Sequence, residues 1–266
     1  MTDYCQNLWS KLTELRAAQT QAEADFRVAG REGDLKRANL VIDSLNLDLN
    51  QMLAEWDNSL ETLPDGQKLF GPEFETISRI CKELDIAWET AFIDWRKSFG
   101  VHAKIEDGRI IDINFNGELL TEAQKNYGLE SIALFPKLKG LTVHRNNKIQ
   151  DLSRLRNLKD LKEIRLSEMS NLQNIDTIRE LKPETLLITK CGNLFDLSPL
   201  SELRNVKYMY LSHIGGNRAY IIPRSITFAS RGDFFITREF WNSANIDYLN
   251  DLQSRGVYVK VLRENS

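Results

Sequence analysis

The chain has 266 residues, of which 42% are apolar and 27% charged, and carries a formal net charge of −3. That length can bury a sizeable core in one or two domains, and the balance is ordinary for a soluble globular protein. So small a net charge argues against a nucleic-acid binder and against an acidic tail.

The N-terminus, MTDYCQNLWSKLTEL, has no basic start followed by an apolar run, so no secretory signal is expected. No stretch reaches the ~18 uninterrupted apolar residues of a membrane span. The expected location is therefore the cytoplasm. Leu8, Leu12, Leu15, Ala18, Ala22, Phe26 and Ala29 recur at steps of three and four, which predicts an amphipathic helix. Gly30 and Gly33 break the pattern, and Asp34 can cap a second helix. Leu35, Ala38, Val41, Leu45, Leu49, Met52 and Trp56 form its apolar stripe. Two such helices joined by a glycine turn are expected to fold back as an antiparallel hairpin. Pro64, Asp65, Gly66 and then Gly71-Pro72 read as a break. Phe74, Ile77, Ile80, Leu84, Ala87, Ala91 and Trp95 then predict a third helix, running to about Phe99 and covering the hairpin seam. The segment reads either as a three-helix domain or long cap, or as a coiled coil that makes a homo-oligomer.

The next signal is an internal repeat. Leu138, Leu141, Val143, Ile149, Leu152, Leu155 and Leu158 recur, at a constant offset of 23, as Leu161, Ile164, Leu166, Leu172, Ile175, Ile178 and Leu181. The last six recur, at an offset of 22, as Leu186, Ile188, Leu194, Leu197, Leu200 and Leu203. A partial unit then starts at Val206, Met209 and Leu211. The L-x-x-L-x-V piece predicts a short strand with alternate side chains turned inward. The piece that steps by three suits a 3₁₀ or loosely helical return. One such turn cannot bury its own apolar face, but stacked turns share a core. Parallel strands are expected at 141–143, 164–166, 186–188 and 209–211.

Residues 138 to 211 resemble leucine-rich repeats of the short bacterial and intracellular type. The likeness rests on L-x-x-L-x-[VIL] and on the return D-L-S-x-L-x-x-L at Asp151–Leu158 and Asp196–Leu203. In that family an Asn or Cys three residues after the last strand aliphatic bonds the loop backbone. Asn146 and Cys191 occupy the place, whereas Met169 and Ile214 depart from it. Upstream, Ile113 and Phe115 predict a first strand, with Leu129, Ile132 and Phe135 matching Leu152, Leu155 and Leu158. The stretch WRKSFGVHAKIEDGRIIDINF, from Trp95 to Phe115, resembles the N-terminal caps of such repeats, where a hairpin leads into the first unit. Downstream, Ile226 and Phe228 suggest one more strand. Phe240, Trp241, Ile246, Leu249 and Leu252 suggest a helix ended by Gly256, and Val257, Val259 and Val261 a final strand. The expected fold is α+β: a helical segment over 1–99, then a leucine-rich-repeat solenoid with a parallel sheet over 100–266, closed by a divergent C-terminal cap over 213–266.

Catalytic and metal-binding constellations are not found. Cys5, Cys81 and Cys191 are widely spaced, giving neither a disulfide framework nor a C-x-x-C pair. His102, His144 and His213 have no second ligand at metal spacing. Gly215-Gly216-Asn217-Arg218 lacks the Lys-Ser/Thr of a phosphate cradle. No enzymatic activity and no cofactor are expected. Lys137, Lys139, Arg145, Lys148, Arg154, Arg156, Lys159, Lys162 and Arg165 form a basic run, read as a solvated loop face in preference to a patch for an acidic partner.

Binding is the expected activity. The resemblance implies a concave face built by the residues between the inward aliphatics. Stacking aligns Asp112, Gly140, Glu163, Thr185 and Tyr208 in one column. Asn114, Thr142, Arg165, Leu187 and Tyr210 form the next, and Asn116, His144, Ser167, Thr189 and Ser212 the third. Thr142, His144, Arg165, Leu187, Tyr208 and Tyr210 are the candidate residues for a protein partner. Tyr208 and Tyr210 have the alternative of packing beneath the C-terminal cap. The function reads as a protein-binding module or adaptor. The other reading is a secreted effector whose N-terminal helices act on a host target.

Overall fold

The computed structural model describes residues 11, 14–25, 32–63, 66–83, 100–116, 129–215 and 220–262. The chain divides into two compact units, Met1–Phe74 and Glu75–Ser266.

In the first unit, residues 14–25 are helical (α1) and α2 spans Glu32–Asn58. Gln19 Nε2 donates to Asn46 Oδ1 at 2.7 Å, tying the two helices. Leu15 and Ala22 flank this bond at helical spacing and are half-buried, as is Leu45. Two positions of the expected stripes lie elsewhere: Ala18 is exposed, and Val41 is 51% exposed beside Leu40 at 70%. A polar pair, Gln19 with Asn46, thus lies beside half-buried aliphatics of the expected stripes. Leu8, Leu12, Phe26 and Ala29 lie outside the described residues, as do the side chains of Leu35, Ala38, Leu49 and Trp56.

A small hairpin that no periodicity predicts brackets the first expected break. Leu60–Thr62 (β1) pairs antiparallel with Lys68–Phe70 (β2). Leu63, Leu69 and Phe70 are buried, and Gly66 takes φ +81°, which a side chain would resist. Helix α3 spans Gly71–Glu83, so Gly71-Pro72 opens the helix where the pattern reads a break. Proline suits a first turn, whose N–H groups have no partner in the helix. Ile77, Ile80 and Cys81 are its buried side. The expected continuation over 84–99 lies outside the described residues.

The second unit carries an eight-stranded sheet. Its strands stand in chain order: β3 (Gly100–Glu106), β4 (Arg109–Asn116), β5 (Gly140–His144), β6 (Glu163–Ser167), β7 (Thr185–Thr189), β8 (Val206–Ser212), β9 (Phe228–Thr237) and β10 (Tyr258–Leu262). Only β3 and β4 pair antiparallel; every later neighbour is parallel. The β3–β4 hairpin turns on Asp107-Gly108, with φ +50° and +71°. Two residues at positive φ give the primed turn whose twist matches the flanking strands.

The register follows the repeat. Ile113, Leu141, Ile164, Leu186, Met209, Phe234 and Val259 stand opposite one another across seven strands. All are buried, as are Phe115, Val143, Leu166, Ile188, Leu211 and Ile236 in the adjacent inward column. The returns contain 3₁₀ turns at Ile132–Leu134, Ser153–Leu155 and Ser198–Glu202, and a single helical turn, α4, at Ile178–Leu181. Asp151 and Asp196 start two of them by accepting the N–H of Ser153 and Ser198, each at 2.8 Å. This local bond accounts for the D-L-S signature. Asn146 Oδ1 accepts from the N–H of Lys148 and Ile149. Met169 and Ile214 fill the equivalent places as fully buried apolar groups, so the asparagine ladder is irregular.

The C-terminal stretch corrects two placements. Ile226 precedes the strand expected to contain it, and β9 runs on to Thr237. Three extra residues bulge between the Val206–Phe228 and Tyr208–Asp233 pairs. Gly232 sits in the bulge, where a Cβ would lie 2.8 Å from the Val206 carbonyl. Phe240 ends a 3₁₀ turn, and Trp241 is exposed; the helix itself, α5, spans Ile246–Ser254. Among the described residues no helix is long and apolar enough to cross a membrane.

Candidate functional site

Alternation places the residues between the buried aliphatics on the opposite, outward face of the sheet. The strand pairing sets them in the expected columns. Asn114, Thr142, Arg165, Leu187 and Tyr210 are consecutive partners, as are Asp112, Gly140, Glu163, Thr185 and Tyr208. His144 stands between Asn116 and Ser167 in the third. Both first columns continue: Tyr208 pairs with Asp233 and then Tyr258, and Tyr210 with Phe235 and then Lys260.

The N-terminal part of this face is polar and only partly satisfied: Asn114 Oδ1 is buried with no hydrogen-bond partner among the described residues. Gly140 has no side chain, and the Asp112 carboxylate occupies that space; a Cβ on Gly140 would lie 2.0 Å from Asp112 Oδ2. Burial, with the Glu163 charge adding to it, pushes the Asp112 carboxyl above its ordinary range. Arg165 is ion-paired with Glu163 on its own strand. Thr142 and His144 are half-buried between these groups.

The C-terminal part is aromatic. Tyr208 and Tyr210 pack on Phe235 with ring centroids 5.3 and 6.5 Å apart. Tyr258 stands edge-on to Phe235 at 5.9 Å and is 55% exposed on the outermost strand. Leu187 is half-buried next to Tyr210. The two tyrosines therefore meet residues of the following strands and share the outward face with them. Phe235 and Tyr258 belong to the segment expected as the C-terminal cap, so the tyrosines pack against that segment at its side and remain half-buried. Burial, opposed by Arg165, raises the Tyr208 hydroxyl above its usual pKa, and the Asp233 charge adds to the rise.

Phe235 and Asp233 escape the sequence reading because Ile226 and Phe228 place β9 too early; Tyr258 lies on the expected final strand but is not assigned to the face. The signal is nonetheless present: Phe234 and Ile236 repeat Met209 and Leu211 at a slightly longer offset, and Val259 and Val261 repeat them again at that same offset. Tyr258, between Val257 and Val259, is then outward by alternation.

The strand ends carry a line of charge. Arg145, Glu168, Lys190 and His213 follow β5 to β8 and take φ between +49° and +55°. The N–H groups of the first three bond the last carbonyl of the next strand, at 2.8–2.9 Å. Glu168 accepts from Arg145 at 2.6 Å and Lys190 at 2.8 Å. Burial alone would raise its pKa, but these two cations pull it down to about 2. The basic run is broken up in the same way. Lys137 pairs with Asp160, Lys139 with Glu106, Arg154 with Glu130 and Arg156 with Glu180.

Among the described residues no three His, Cys, Asp or Glu side chains come together as a metal site. Cys81 and Cys191 are buried free thiols, and burial pushes their pKa up to about 12 and about 11. Such thiols are poor nucleophiles.

No known family model matches the chain. No curated protein matches it either. Among solved structures, an internalin (InlF) from Listeria monocytogenes aligns at 18% identity, covering 61% of this chain and 54% of that one, with a TM-score of 0.39. The chain thus spans about half the length of that protein, and a likeness of this size carries no weight for the site.

Proposed function

We propose that this chain is a protein-binding module, with a leucine-rich-repeat solenoid as scaffold and the outward face of β7 to β10 as reader. One observation carries the reading: Leu187, Tyr208, Tyr210, Phe235 and Tyr258 stand together on a face that the chain's described residues leave open to contact. Aromatic groups so placed are favoured interface anchors, because each brings a large apolar area at low cost in conformational entropy. Arg165, across the register from Leu187, adds a charged orienting group. The helical unit would serve as a spacer built on a helical hairpin, or as a homo-oligomer contact. Leu40, Val41 and Leu47, each more than half exposed on α2, support the second use.

Affinity capture by the full chain tests the reading when run beside the double variant Arg165→Ala, Tyr210→Ala. A partner held by the wild type and released by the double variant is the expected result. A partner held equally by both would move the binding surface off this sheet, and α2 would become the candidate.

A further inference from the structure

We propose that Tyr208, Asp233, Phe235 and Tyr258 form a notch that receives a lysine or arginine side chain of the protein partner; this rests on the binding function above and names the chemistry it would read. The register places Asp233 between Tyr208 and Tyr258 on three adjacent parallel strands, and Phe235 two residues along on the same face. The rings of Tyr208 and Tyr258 both pack on Phe235, at 5.3 and 5.9 Å. Asp233 is thus half-buried, flanked in the register by Tyr208 and Tyr258, whose rings pack on Phe235 two residues along.

The Asp233 side chain makes no hydrogen bond or ion pair among the described residues, though its backbone is paired on both sides in the sheet. The chain's own cations do not supply one. Arg165 is taken by Glu163, while Lys260 pairs with Phe235 in the register and forms no ion pair with Asp233. Arg231, across the bulge at Gly232, forms none either. Charge complementarity then selects the occupant. An anionic group would face Asp233 and the negative faces of the rings. A purely apolar group would strip water from the carboxylate without replacing it. A guanidinium or ammonium meets both the carboxylate and the ring faces, so each contact adds to the other.

The test uses the full chain with ring-labelled tyrosine, followed by NMR. Tyr208→Phe and Tyr258→Phe assign the two ring signals. The probes are N-acetyl-arginine amide and N-acetyl-citrulline amide, which share a shape and differ in charge. Saturable shifts of the Tyr208 and Tyr258 signals are expected with the arginine probe, and roughly tenfold weaker binding with the citrulline probe or with Asp233→Asn. Tyr258→Leu, on the exposed outermost strand, gives a second variant should Asp233→Asn lower the melting temperature. Equal response to both probes, an unaffected Asp233→Asn, or no shift up to the solubility limit of the arginine probe would each overturn the notch. Failure here with a capture result that still depends on Arg165 and Tyr210 removes the cation and leaves the binding face. Loss of that dependence removes the binding face itself.

Discussion

The two halves of the outward face differ sharply on one scaffold. Across β4 to β6 the outward residues are polar: Asp112 lies over Gly140, Arg165 pairs with Glu163, and Asn114 Oδ1 is buried without a hydrogen-bond partner among the described residues. Across β7 to β10 they are Leu187, Tyr208, Tyr210, Phe235 and Tyr258, packed ring against ring and left half-exposed or more. Beneath both halves the inward columns are alike, apolar and almost all buried. The repeat therefore fixes where a side chain points and says nothing of what stands there. An exposed ion pair contributes about 0–1 kcal/mol to stability, so the polar half gives up little by being solvated. An aromatic cluster in water forgoes apolar burial worth about 25 cal/mol per Å² until something covers it.

The largest expected effect breaks the comparison at its base. Leu166 lies in β6 and is 1% exposed. Leu166→Asp should destabilise the array by several kcal/mol, because a lone charge in the core has no partner. Thermal unfolding followed by circular dichroism reads it, and an unchanged melting temperature would mean that the two halves share no core.

Next come two glycines, one in each half. Gly232→Ala would press a Cβ against the Val206 carbonyl, which is backbone and cannot swing away. A loss of about 1–3 kcal/mol is expected. Gly140→Ala presses instead on the Asp112 carboxylate, which can rotate into solvent, so about 1 kcal/mol or less is expected. Denaturant midpoints decide the order. A costlier Gly140→Ala would show that Asp112 is held as firmly as backbone.

The smallest effect is on pH. The folded pKa of Glu168 is about 2, below the ordinary 4.5, so its contribution to stability is present above about pH 4.5. It is lost as pH falls through that window toward 2. Asp112 has the opposite sign: its raised pKa makes its ionised form a cost that acid relieves. Glu168→Gln should therefore flatten the fall in melting temperature between pH 4.5 and 2. Melts across that range that parallel the wild type would remove the Arg145–Glu168–Lys190 line as a stabilising element.

Legibility in the sequence follows the same division. Inward positions are readable because burial imposes a chemical rule on them, and the constant repeat offset carries strands β5 to β8 to their observed register. The candidates Thr142, His144, Arg165, Leu187, Tyr208 and Tyr210 fall on the outward face for the same reason. Phe235 and Asp233 escape because the bulge at Gly232 lengthens the period, and a bulge depends on tertiary fit rather than on pattern. The β1–β2 hairpin escapes because such short strands have too few positions to show alternation. In α1 and α2 a polar pair, Gln19 with Asn46, joins the helices beside half-buried stripe aliphatics, and a hydrophobic period carries no signal for such a pair.

The central claim is that binding resides in the aromatic half. Its most direct test is the dissociation constant of the captured partner for two single variants, Tyr210→Ala and Thr142→Ala, which occupy the same outward column. Tyr210→Ala is expected to weaken binding by about 1–3 kcal/mol, and Thr142→Ala by less than about 0.5 kcal/mol, with both variants folded. Equal losses, or a larger loss at Thr142, would contradict the assignment of the reader to β7–β10.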